Sequence, residues 1–96
     1  MEAGALLDEL VALAQEAGIR VRQLPRSGAR PGEGEPAARS GLVRMRGEPW
    51  LILAPEESLE DRIDAAASAL RHEAQEWLEG RYLAPAVRER LDLDAG

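Results

Sequence analysis

Cysteine, lysine, asparagine, threonine and phenylalanine are all missing from these 96 residues, and histidine occurs once. Without cysteine there can be no disulfide, no thiol nucleophile and no thiolate metal site. One histidine cannot supply the pair of imidazoles on which most zinc helices depend. Aromatic residues are reduced to Trp50, Trp77 and Tyr82, too few for the stacking platforms that single-strand and RNA binders use. Apolar runs end after five residues, as in Trp50 to Ala54, far short of the roughly 20 needed to span a bilayer. The acidic opening Met1-Glu2 lacks the basic start of a secretory signal, so the expected location is the cytoplasm, away from any membrane. All twelve basic residues are arginine. Codon bias toward GC is the simplest source of that usage, and thermostability through ion pairs is the second.

What remains is an ordinary globular composition, 45% hydrophobic and 31% charged, at a length that suits one domain over residues 1–96. A net charge of -6 favours solubility and offers no general attraction to nucleic acid or anionic lipid. Leu6, Leu7, Leu10, Leu13, Ala14 and Ala17 recur at helical spacing, which predicts an N-terminal helix over 3–17, closed by Gly18. Ile19-Arg20-Val21-Arg22 alternates like a half-buried strand. Residues 25–40 hold Pro25, Gly28, Pro31, Gly32, Gly34 and Pro36 and no bulky apolar side chain, the composition of a mobile loop. Two strands follow, Leu42 to Arg46 and Trp50 to Ala54, joined across Gly47-Glu48-Pro49. Val43 and Met45 are expected to face the core, Arg44 and Arg46 the solvent, and the second strand, apolar throughout, to be the better buried. Ser58 caps a long helix whose stripe Leu59, Ile63, Ala67, Leu70, Ala74, Leu78 runs to Gly80, and Pro85 opens a short helix over 85–91. The whole predicts an α+β fold: a three-stranded antiparallel sheet with an N-terminal helix, a long central helix and a short C-terminal helix.

The long helix carries His72-Glu73-Ala74-Gln75-Glu76, a zinc-protease helix whose second histidine is replaced by Glu76. With Leu70 at zero, about 100° per residue puts His72 at about 200°, Glu73 at about 300° and Glu76 at about 240°, all turned from the apolar stripe. A His and a carboxylate four residues apart can share a divalent metal, which makes His72, Glu73 and Glu76 the candidate metal set. Two ligands do not hold zinc, no second histidine exists, and only Asp or Glu could complete the set. A solvated helix face is the plainer reading, with no catalytic residue and no cofactor.

The order helix, Gly18-Ile19-Arg20-Val21 strand, variable loop, Ser40-Gly41-Leu42, Trp50-Leu51-Ile52-Leu53 hairpin and Leu70-Arg71-His72-Glu73 helix resembles the N-terminal part of the ImmA/IrrE family of zinc metallopeptidases. The likeness covers roughly residues 3–78 in layout, and its motif is His72 and Glu73 alone. It implies His72 as first metal ligand and Glu73 as general base. The family bears HExxH and draws a third ligand from further along the chain, so Glu76 marks this sequence as a shortened, motif-degenerate relative. The alternative is an independent small domain that reached the same layout, which is easy to build.

Arginine supplies the other constellation. Residues 20–46 carry seven arginines against two acids, a balance of +5, and the remainder five against sixteen, or -11. Arg20, Arg22, Arg44 and Arg46 are thus a candidate basic surface, able to touch phosphates but without an aromatic residue to stack on bases. Such arginines also keep sheet edges from aggregating. Trp50 and Trp77 are expected in the core, with one of them able to anchor a partner. The sequence therefore points to a non-catalytic domain working through a protein partner or self-association. A metal-dependent hydrolase and a nucleic-acid binder are the alternatives.

Overall fold

The computed structural model describes residues 1–25 and 39–93; the loop expected at 25–40 falls outside the described residues over 26–38. The chain runs α1 (Ala3–Glu16), β1 (Arg20–Gln23), β2 (Gly41–Met45), β3 (Glu48–Leu53), α2 (Leu59–Glu79) and α3 (Pro85–Leu91), an α+β arrangement with the three expected helices.

Local chemistry accounts for the element ends. The Glu2 side chain accepts from the Gly4 N–H at the start of α1. At its end Gly18, at φ +91°, donates to the Gln15 carbonyl while Ile19 donates to Ala14, the paired bonds of a Schellman closure. Only a glycine enters that left-handed position without strain, and it turns the chain straight into β1. Ser58 Oγ accepts from the Asp61 N–H at 3.0 Å, and Glu60 and Asp61 lie in the first turn of α2, where the helix dipole favours them. Arg46 and Gly47 both have positive φ, as a two-residue type I′ hairpin turn requires.

The sheet departs from expectation in direction. Its order is β1-β3-β2, with β2 antiparallel to β3 but β1 parallel to it, so the sheet is mixed and not purely antiparallel. Gln23 at the end of β1 pairs with Leu53, and Gly41 at the start of β2 pairs with Ile52, so both lie at one end of the sheet. β1 and β2 therefore flank β3 on opposite sides, and the hairpin brings β3 back in the direction of β1. The apolar β3 takes the centre, the one position with a strand on each side.

The faces of β2 are also opposite to those expected. Leu42 pairs with Leu51, which is fully buried, so Leu42 and Arg44 lie on the helix side and Val43 and Met45 on the other. Alternation says only that neighbours point apart; register decides which set goes inward, and a shift of one residue exchanges them.

Helices α1 and α2 pack against each other and on the same side of the sheet, and α3 packs on both helices. The core joins Leu7, Leu10 and Leu13 of α1, Leu51 and Leu53 of β3, Ile63, Leu70 and Leu78 of α2, and Val87 and Leu91 of α3. Leucines and alanines fill it without a single buried polar or charged residue among the described positions. No helix of the described chain is long and apolar enough to cross a membrane.

Candidate functional site

The His72 motif lies on α2 beside β2. His72 is exposed, as expected, and borders a groove between α2 and the entry to β2, along with Ser40, Leu42, Asp61, Asp64 and Ser68. Glu73, only 16% exposed in its side chain, is held by Arg44 from the helix side of β2, with Nη2 to Oε1 at 2.5 Å. The candidate general base is thus one half of an ion pair linking sheet to helix. Ala74 follows with φ -139° and ψ 27°, a non-helical residue inside α2. His72 and Glu76 stand on either side of that break, so the regular i, i+4 spacing on which a shared metal depends is interrupted between them. Among the described residues no three His, Cys, Asp or Glu side chains converge to hold a metal.

A second polar knot ties the same region. The Ser40 N–H donates to Glu57 Oε1, and Ser40 Oγ accepts from the Ala54 N–H at 2.9 Å. The Ser40 N–H, followed by the Ser40 hydroxyl, holds the Glu57 carboxyl below the ordinary glutamate range. This clasp joins the start of β2 to the segment that leads from β3 into α2. Its members are 17 and 14 residues apart in sequence, and no local motif announced them.

The four arginines of the candidate basic surface do not share a face. Arg20 and Arg22 pair in register with Trp50 and Ile52 and lie on the side of the sheet away from the helices. Arg44 lies on the helix side, tied to Glu73, and Arg46 occupies the turn. Arg20 is itself engaged: its Nε is 2.7 Å from Glu48 Oε2, and its guanidinium lies 5.5 Å from the centre of the Trp50 ring.

The side of the sheet away from the helices carries a different feature. Val43 is 42% exposed and Met45 39%, and they share this face with the half-buried Trp50 and Ile52. Among the described residues both helices that touch the sheet do so from the opposite side. Trp50, expected in the core, is not there; of the β3 residues only Leu51 and Leu53 are fully buried. Trp77 does pack on the core, with the Arg81 guanidinium stacked 4.3 Å from its ring centre. Opposite Ile52 stands Gly41, where a Cβ would meet nothing within 4 Å. The open face thus has an apolar row, one arginine edge and a notch beside Ile52. The continuous apolar run of β3 was the one sequence signal for it.

Compared with protein-family models, with curated proteins and with solved structures, the chain matches none.

Proposed function

We propose that this chain is a non-catalytic domain of the cytoplasm that acts through protein contacts made on the open face of its sheet. The observation that carries the reading is the apolar row Val43, Met45, Trp50 and Ile52 on a sheet face that no described element covers. A sheet with one packed face ordinarily alternates polar residues onto the other. Here the outward side chains of β3 and β2 are apolar apart from Glu48, which Arg20 engages, and that is the composition of a layer meant to be covered. The same reading takes the chain as a motif-degenerate relative of the N-terminal part of the ImmA/IrrE peptidases, alike in layout and not in chemistry. The Arg44–Glu73 pair and the break at Ala74 support that view, since both take the motif away from a metal-binding arrangement.

The size of the face sets the strength of the contact. Three strands about 4.8 Å apart, the longest of six residues, present at most roughly 300 Å². At ~25 cal/mol per Å² of apolar surface its complete burial contributes at most ~7 kcal/mol, at the lower end of the ~4–15 kcal/mol lost on association. A partner confined to this face binds transiently, and one that reaches past its rim binds firmly.

Site-directed photo-crosslinking in the host tests the reading. A photoreactive residue at Val43 is expected to yield discrete protein adducts, whereas one at the exposed Ala12 of α1 yields none. Equal labelling from both positions, or none from Val43, removes the support. Peptide hydrolysis by untagged protein that disappears in Glu73→Gln would overturn the non-catalytic part.

A further inference from the structure

We infer that the open face receives an apolar segment bordered by carboxylates, namely an amphipathic acidic helix of another protein. The inference rests on the protein-contact reading above and adds the chemistry of the partner.

Charge selects that chemistry. Along the apolar row the ionised strand residues are Arg20, Arg22 and Glu48, and Glu48 is already joined to Arg20. The edge formed by β1 is therefore net positive, although the whole chain carries -6. The acidic excess belongs to the rest of the chain, with Asp8, Glu9 and Glu16 exposed on α1 and Asp61 and Asp64 on α2. Those helices lie a full layer away, about 10 Å, which exceeds the ~8 Å reach of unscreened charge at physiological salt. A basic partner would be drawn to the helix side, and an acidic one to the β1 edge of this face. Like charges elsewhere then enforce this orientation.

Shape supports the same occupant. Gly41 leaves open space next to Ile52 on the face where Trp50 and Val43 also lie. Glycine in a strand often marks a close approach by another chain, and Gly41 has no positive φ that would otherwise call for it. An apolar side chain projecting from a helix fits that notch, while its flanking carboxylates reach Arg22.

A second copy is the weaker occupant on charge. Each copy would bring Arg20 and Arg22 and no unpaired acid to meet those of its partner.

The test uses two synthetic helical peptides of about five turns with the same leucine face, one flanked by glutamates and the other by lysines. Each is titrated into the isotopically labelled full chain and followed by nuclear magnetic resonance. The glutamate peptide is expected to move the Trp50 indole N–H and the Val43 and Ile52 signals. Its affinity should exceed that of the lysine peptide about threefold, the size of one rim ion pair. Arg22→Glu should reverse the preference, and Gly41→Leu should weaken both peptides by filling the notch. Equal affinity for the two peptides, a preference for lysine, or shifts confined to α1 and α2 overturn the inference. So do shifts that move with protein concentration alone, which assign the face to a second copy. If neither peptide binds while Val43 still crosslinks a protein, the acidic-helix partner is wrong and the contact reading survives. If neither peptide binds and Val43 crosslinks nothing, both fail.

Discussion

Glu57 and Ser40 show how one carboxylate can hold two elements together. The Ser40 N–H stabilises the ionised form of Glu57, so its folded-state value lies below the ordinary 4.5. A depressed acid contributes stability that is complete above its ordinary value and is lost as pH falls through the lowered folded value. Melting temperatures of the wild type and Glu57→Gln should therefore differ at neutral pH, with the wild type higher, and converge as pH drops below 4.5. A constant gap down to strong acid would mean that the charge plays no part. None of this clasp was legible in sequence, because its members come from segments brought together only by the sheet. The same holds for Glu73. Its place on α2 beside His72 was readable from helical spacing, but its partner Arg44 lies 29 residues away.

The helices were legible as elements because each carries its own punctuation: Gly18 after α1, Ser58 before α2 and Pro85 at the start of α3. The strands were legible as strands but not in direction or facing, since parallel pairing of β1 and the register of Leu42 with Leu51 are properties of the assembled sheet. The facing has a measurable consequence. Leu42 packs against the core and Val43 is 42% exposed, so Leu42→Ala should cost about 1–2 kcal/mol and Val43→Ala below about 0.5 kcal/mol. Urea titrations giving the reverse order would return Val43 to the core. The turn gives a second prediction. Arg46 adopts φ +54°, a left-handed region that disfavours most side chains through their Cβ but suits asparagine, and Gly47 already follows it. Arg46→Asn creates the preferred Asn-Gly pair and should raise stability by about 0.5–1 kcal/mol with no change in the denaturant slope. A loss of stability would show that Arg46 makes a contact worth more than the strain.

For the molecule as a whole, the distribution of charge separates what the arginines do from what their number suggests. Phosphate binding depends on several cations presented together, and its affinity falls steeply with salt as counterions are released. Arg20 and Arg44 point to opposite sides of the sheet, and each is engaged by a carboxylate, Glu48 and Glu73. A strand of nucleic acid laid on the Arg20 edge would meet apolar side chains with no aromatic platform beyond the single Trp50, which Arg20 already covers. It would also approach a chain of net charge -6. Fluorescence anisotropy with labelled DNA and RNA is therefore expected to stay flat at both low and physiological ionic strength. A rise at low salt that vanishes at higher salt, and that is halved by Arg22→Ala, would reinstate the arginine surface. Binding that is insensitive to Arg22→Ala but lost in Arg44→Ala would have to open the Arg44–Glu73 pair. It should then appear together with a change in the stability of α2, visible in the same samples by circular dichroism.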